Sequence, residues 1–473
     1  MVDVKQRLRE IEDTIRDIGE TPHLVGYDAN EIQELISGCS RLVAMRGASE
    51  AILEFDREVR SRHRAVFAGG GRGMVLARSS EEAERMASAL SDRFRAMTQG
   101  GVAAACWVPV EASGDAQMRG LRWLRHRLDL AKGAAAPPGG DVPTSRDDEC
   151  ACCRRYRAAI ESTRDDRPDH VCSRCFEMIG RGRKSDRAPG ERVGAMSQSI
   201  EEIAEDGWIA MVSADGNSLG ALFDSLHGLA ETAVMSEVIG EIFRAARTAA
   251  LDAAGAHKCV PLLAGGDDVR AFIPPSRAIA YVERLVEVVE SEAARYAGEL
   301  EGLVAPGTVA QLRKLGIGIG VAIANVYYPS WRLMDLAHDL EDSAKTLRTA
   351  RSALDFAIVT TEDALTGKPA RPDDLRPLSM DRASWKRALE RAGWLSKIPK
   401  AQLGVLASRA NESAEELANA LRYQVARSQH WRDWYQACGV DWRDAKRVVD
   451  ERPGRGALEL MRLLDKSREE GRP

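Results

Sequence analysis

The chain has 473 residues, 44% hydrophobic and 29% charged, a soluble globular composition with length enough for about three domains. Formal net charge is −5, so no global basic field attracts nucleic acid; any such contact falls to local clusters, and Arg154, Arg155 and Arg157, or Arg181, Arg183 and Lys184, read either as such patches or as a solvated face. No apolar run approaches the roughly 18 residues of a membrane helix and the charged N-terminus is no signal peptide, so a cytoplasmic protein with reduced thiols and no membrane partner is expected.

Residues 1–20 read as a short amphipathic helix, and HLVGYDAN (23–30) as a strand ending in a polar turn. One helical stretch is expected over 31–62, then a Gly-rich hairpin, AVFAGGGRGMVLAR. A helix capped by Ser79 or Ser80 and the apolar strand VAAACWVPV follow. This β-α-β-hairpin-α-β order is that of a ferredoxin-like sandwich. Another helix spans 115–132, and GAAAPPGGDVPTSRDD is a linker by composition.

Five of nine cysteines crowd between residues 150 and 175. Cys150 with Cys153 and Cys172 with Cys175 make two CxxC pairs at zinc-ribbon spacing, so four thiolates can surround one structural Zn²⁺. The alternatives are a cysteine cluster without metal, or a site in which Cys152 or His170 replaces one of the four. With four protein ligands there is no open position for catalysis.

After the basic stretch GRGRKSDRAPGE, read as flexible, the first pattern returns. GWIAMVSADGN (207–217) is a strand, followed by a helix over 231–255 and a second hairpin, CVPLLAGGDDVRAFIPP (259–275). A helix over 276–300, the strand LGIGIGVAIA (315–324), a helix over 330–350 and the strand DFAIVT (355–360) close the unit. From about 378 the chain reads as helical throughout, with five of nine tryptophans, read as core or as a docking face.

The hairpin tip Gly265-Gly266-Asp267-Asp268 carries the chemistry. Paired glycines suit a tight turn. Side-by-side carboxylates repel unless a cation offsets them, and hard divalent cations share such oxygens with phosphates. The tip is either a two-metal phosphoryl-transfer site or a solvated turn. The internal repeat favours the site. Asp28 aligns with Asp215 and Asn30 with Asn217, but Gly71 and Arg72 stand where the second copy has Asp267 and Asp268. One copy is metal-competent; the other is a scaffold, or supplies nucleotide contacts across a pseudo-dimer interface.

VSADGNSLGALFD (212–224), LLAGGDDVRAFIP (262–274), the paired CxxC knuckle, LVAMRGAS (42–49) and AKTLRTARSALDFAIV (344–359) together resemble the large polymerase/cyclase-like subunit of type III CRISPR effector complexes. The resemblance spans nearly the whole chain. It implies an α+β fold: a degenerate first palm (1–135), a linker and zinc knuckle (136–200), a second palm with GGDD (201–375) and a helical domain (376–473). It also implies target-RNA-triggered condensation of ATP into cyclic oligoadenylates. Asp215, Asp267 and Asp268 would hold Mg²⁺ or Mn²⁺, and the amides from Gly216 to Gly220 would cradle a triphosphate at a helix N-terminus. Asn217, Ser218, Gly265 and Gly266 would contact nucleotide, and Lys345 is either a phosphate contact or an exposed helix lysine. Partners would be guide RNA, target RNA and other effector subunits, including a small helical one. Larger members often carry an N-terminal HD nuclease; with a first palm starting near residue 20 none is expected, and His338-Asp339 reads as incidental. The competing functions are a non-catalytic RNA-binding scaffold and a stand-alone GGDEF-like cyclic dinucleotide synthase.

Overall fold

Leu24 and Val25 are adjacent in one strand and both fully buried, so the sheet they belong to is covered on both faces. The computed structural model describes residues 3–18, 22–30, 32–111, 114–134, 143–164, 167–184, 199–255, 258–263, 265–347, 351–359, 377–399, 401–403, 414–444 and 460–461. The first unit runs α1 (Val4–Ile18), β1 (His23–Ala29), α2 (Ile32–Ser37), α3 (Leu42–Arg62), β2 (Ala65–Gly69), β3 (Arg72–Ala77), α4 (Ser80–Met97), β4 (Ala103–Pro109) and α5 (Gly114–Ala134). Its antiparallel sheet has the order β2-β3-β1-β4. Phe55 of α3 and Phe94 of α4 share a core with Val25, on one face. Leu121 and Leu124 of α5 share the other core with Leu24, on the opposite face. Ser79 is the α4 cap, its hydroxyl accepting the Glu82 N–H at 3.2 Å.

The single helix expected over 31–62 is broken at residues 38–41. There the Ser40 N–H donates to the Cys152 carbonyl at 2.9 Å and Arg41 pairs with Asp169. The cysteine-rich segment thus takes up backbone groups that a continuous helix would use. That segment forms a small hairpin, β5 (Ile160–Arg164) and β6 (Arg167–Val171), followed by α6 (Ser173–Lys184). Residues 180–184, read as part of a flexible stretch, are helical. Gly182 of α6 and Gly47 of α3 each lie against the other helix's backbone with no space for a Cβ, and Arg46 donates to the Gly182 carbonyl. Packing on α3 keeps this end of α6 wound. Residues 185–191 of that stretch lie outside the described residues.

The second unit repeats the plan: β7 (Trp208–Asn217), α7 (Leu219–Asp224), α8 (Leu229–Ala253), β8 (Val260–Leu263), β9 (Val269–Ile273), α9 (Ala278–Glu299), α10 (Pro306–Arg313), β10 (Gly316–Asn325), α11 (Ser330–Lys345), β11 (Ala353–Ile358) and β12 (Leu378–Ser379). The sheet order β8-β9-β7-β10 reproduces β2-β3-β1-β4, with β11 parallel to β10 and β12 antiparallel to β11 beyond it. The chain is therefore not helical throughout from 378: Leu378 and Ser379 extend this sheet before helix begins. Two paired residues are too short for a periodic signal.

The two units contact each other reciprocally. Helix α8 packs on β2, and α3 on β8. Such an exchange is the pattern of a two-fold interface, here within one chain. Beyond the second sheet lie α12 (Arg382–Leu395), α13 (Ala414–Arg427) and α14 (Gln429–Ala437). Trp431, Trp434 and Tyr435 are buried together there, and the Trp385 indole N–H donates to Glu283 of α9 at 2.7 Å. These tryptophans are core. Residues 404–410, and most of the helix expected over 456–470, lie outside the described residues.

Candidate active site

Asp215 lies near the end of β7, opposite Gly318 of β10. A Cβ on Gly318 would stand 2.6 Å from Lys345 Cγ, so the glycine leaves room for the lysine to reach across the sheet. Lys345, in the last turn of α11, donates from Nζ to Asp215 Oδ2 and to Glu341 Oε1, both at 2.6 Å. Glu341 is buried one turn earlier and also accepts the Ser213 hydroxyl at 2.7 Å; His338 Nδ1 is 3.6 Å from it. Burial opposes the Glu341 charge, but His338, Lys345 and Ser213 outweigh it and hold the carboxyl at about 2. Burial likewise opposes the Lys345 charge, and Asp215 and Glu341 more than offset that, raising its pKa.

The first unit carries a matching lysine–aspartate pair. Lys132, near the end of α5, pairs with Asp28 Oδ2 at 2.5 Å, and Arg72 Nε donates to Asp28 Oδ1 at 3.1 Å. Helices α5 and α11 each follow the fourth strand of their unit and return a lysine to the first-strand aspartate. Neither Lys132 nor Glu341 was singled out from sequence. For Lys132 a signal existed: extending the repeat past β4 aligns Ala131-Lys132 with Ala344-Lys345. Glu341 has no such marker.

The GGDD tip joins β8 to β9, as expected from the flanking apolar runs. Only Gly266 has positive φ, at 65°. Gly265 serves close approach instead: a Cβ there would stand 2.6 Å from Gly70 N and 2.8 Å from Gly70 Cα, on the tip of the first unit's hairpin. In that first hairpin both Gly70 and Gly71 have positive φ, and the Gly71 N–H donates to the buried carboxylate of Asp56 at 3.0 Å. Arg247 of α8 donates to the Gly266 carbonyl at 3.2 Å and steadies the second tip.

Burial raises the Asp267 pKa, and the neighbouring carboxylates of Asp215 and Asp268 raise it further. Burial raises Asp268 as well, together with Asp215, against the opposing pull of Arg270 and Arg72. The three aspartates do not close into one tight ligand set. Among the described residues, ligand-bearing groups of three or more whose atoms lie within 4.8 Å of one another are two cysteine sets and His338-Glu341-Asp342. Lys345 already satisfies Asp215. The remaining surplus of half-buried carboxylate charge, all oxygen donors, fits a hard divalent cation. The tip opens on a cleft of about 1000 Å³ between the units, lined among others by Asp28, Arg60, Arg72, Arg247, Gly266 and Asp267.

The residues expected to contact nucleotide have different surroundings. Gly265 and Gly266 line the cleft. Asn217 donates its amide to the Arg351 carbonyl at 3.0 Å, a structural bond closing β7. Ser218 has φ 64° and stands just before α7, whose six residues give its end little macrodipole; a Cβ on Gly216 would stand 2.6 Å from Leu219 Cδ1. Lys345 is no free exposed lysine, since two carboxylates hold it.

The ligand atoms of Cys150, Cys153, Cys172 and Cys175 all lie within 4.8 Å of one another. Cys153 and Cys172 sulfurs are 3.8 Å apart, about the edge of a tetrahedron with Zn–S bonds near 2.3 Å. The N–H groups of Cys152, Cys153 and Cys172 point at Cys150 Sγ at 3.2–3.5 Å. This set could hold zinc. His170 belongs to neither cysteine set; Cys152 belongs to a second one with Cys39 and Cys175.

Residues 208–354 match the family model for the second palm domain of Cas10/Cmr2. No curated protein matches the chain. Among solved structures, the Csm1–Csm4 cassette in complex with pppApA is similar at 14% identity and TM-score 0.56, covering 98% of this chain and 72% of that chain. The cassette in complex with cA4 gives 14% and 0.53, covering 97% and 70%. Csm1 in T. onnurineus gives 15% and 0.53, covering 95% and 70%.

Proposed function

We propose that this Cas10-like chain is the nucleotide-condensing subunit of a type III CRISPR effector complex, joining ATP molecules into cyclic oligoadenylates when the complex engages target RNA. The observation that carries the reading is the surplus carboxylate charge of Asp267 and Asp268, next to the Lys345-paired Asp215 and beside a cleft between two like units, within the segment matched to the Cas10/Cmr2 palm. Similar folds have been solved in complex with pppApA, with cA4 and with one ATP, which supports the choice of substrate and product.

Asp267 and Asp268, with Asp215, would hold Mg²⁺ or Mn²⁺, which when bound activates a 3′-hydroxyl and stabilises the pyrophosphate leaving group. The chain's own residues set up that chemistry. Lys345 anchors Asp215, and Glu341 anchors Lys345. Gly265 lets the two hairpin tips close on each other, and the open side of Gly266 leaves room for a polyphosphate to come close to the carboxylates. Arg72 brings positive charge from the first unit towards Asp268, which fits a copy that has lost its own carboxylates and contributes to nucleotide binding. In this reading the unit up to residue 135 is a degenerate palm, 136–200 a linker and structural zinc knuckle, 201–375 the active palm, and 376–473 a mainly helical domain that faces other subunits and RNA.

The test is ATP turnover with Mg²⁺ by the chain alone, then assembled with guide RNA, companion subunits and matching target RNA, beside Asp267→Ala/Asp268→Ala. Target-dependent adenylate products that vanish in the variant are expected. Their absence from an intact, target-bound complex would overturn the synthase reading in favour of a scaffold. Cyclic dinucleotide made by the chain alone, indifferent to RNA, would place it with stand-alone cyclases.

A further inference from the structure

A four-thiolate zinc site leaves two neighbouring thiols unexplained. Cys39 comes from the break between α2 and α3, and Cys152 sits inside the first CxxC pair. With Cys175 of α6 they form a second set, ligand atoms all within 4.8 Å of one another. Cys39 and Cys175 sulfurs are 3.9 Å apart, almost the spacing of the Cys153–Cys172 edge. All three residues are at most 3% exposed. The two sets therefore share one vertex, Cys175.

We propose that Cys39, Cys152 and Cys175 bind a second thiophilic d10 cation of the Zn²⁺ class, with Cys175 bridging it to the ion held by Cys150, Cys153 and Cys172. Each thiol gives up its proton as its sulfur binds, and two divalent ions against six thiolates leave a charge of −2. The Arg41 guanidinium is already paired with Asp169, and backbone N–H groups offset part of the negative charge instead: those of Cys152, Cys153 and Cys172 point at Cys150 Sγ, and that of Cys175 at Cys172 Sγ. The loop is fixed in advance by the Ser40–Cys152 backbone bond and the Arg41–Asp169 pair, so little ordering is left for the metal to impose. Three thiolates leave the fourth position to water or chloride.

The reading extends the knuckle assignment and is independent of the synthase chemistry. The full chain is loaded with Zn²⁺, desalted and measured for metal per chain. Two ions are expected, falling to one in Cys39→Ser/Cys152→Ser. One ion in the native chain, or two retained in the variant, would overturn the proposal; none would remove the knuckle as well. A titration of the metal-free native chain with Co²⁺ avoids dependence on the variant's folding. The high-spin Co²⁺ resonance should rise to one equivalent and fall on the second, because a shared thiolate couples the two spins. A signal that saturates at one equivalent, or keeps rising to two, excludes the bridged pair.

Discussion

Substituting Gly265 by alanine tests whether contact between the two hairpin tips sets the width of the cleft. The added Cβ would stand 2.6 Å from Gly70 N, whereas ordinary contact begins at 3.4 Å, so the tips must part by about 0.8 Å. Both near atoms of Gly70 are backbone, and no flexible side chain can yield. Overpacking of this kind costs about 1–3 kcal/mol. Asp267 lies two residues further on and moves with the tip; a misplacement near 1 Å in a reacting group costs about a hundredfold in rate. Gly266→Ala supplies the contrast. Nothing lies within 4 Å of its Cβ position, but its φ of 65° imposes strain of about 1–2 kcal/mol without separating the tips. Urea unfolding midpoints and target-dependent ATP turnover should be measured for both. Comparable destabilisation is expected, with the larger loss of turnover in Gly265→Ala. Native-like turnover in Gly265→Ala, or equal turnover losses in the two variants, would refute the argument.

Two buried carboxyls shape stability in opposite senses. Burial pushes Asp56 up to about 6 despite the Gly71 N–H and the Tyr27 hydroxyl, so its contribution is present below pH 3.8 and is lost as pH rises through 6. Asp56→Asn should remove a fall of about 3 kcal/mol between pH 4 and pH 6, read from unfolding midpoints across that range; an unchanged slope would count against it. Glu341 is held at about 2, so its contribution is present above pH 4.5 and lost as pH falls towards 2, again about 3 kcal/mol. Glu341→Gln should flatten that acid limb and, by loosening Lys345, lower kcat more than it raises KM for ATP; a pure KM effect would show that the lysine is held by Asp215 alone.

The local motifs were legible because spacing alone brings their residues together. The GGDD tip needs only a hairpin, and the two CxxC pairs only short turns. The repeated strand order was legible for the same reason, since apolar periodicity marks each element. Lys132, Asp56 and Cys39 stayed hidden because their partners come from other elements, and Glu341 because an i,i+4 pair with Lys345 is ordinary on a helix surface; what marks it is burial against Ser213 of β7. Lys132 reaches Asp28 from the far end of the first unit, and Cys39 meets thiols well over a hundred residues downstream. Gly265 was read as a turn glycine, and its closest constraint is another hairpin's backbone. Secondary structure follows from the neighbours in sequence, whereas a charge or a close approach is set by whatever the fold brings alongside.

Helix α3 has a mechanical consequence. Its 21 residues span about 31 Å. Near its start, Arg46 and Gly47 are clamped onto α6 of the cysteine knuckle. Near its end, Asp56 grips the first hairpin through Gly71, and Arg60 donates to the Ala68 carbonyl. That hairpin abuts Gly265, two residues before Asp267. The knuckle and the carboxylate tip thus sit at opposite ends of one stiff rod. A displacement at the knuckle is therefore carried along α3 to the first hairpin and to the wall of the cleft, one helix length from where it began.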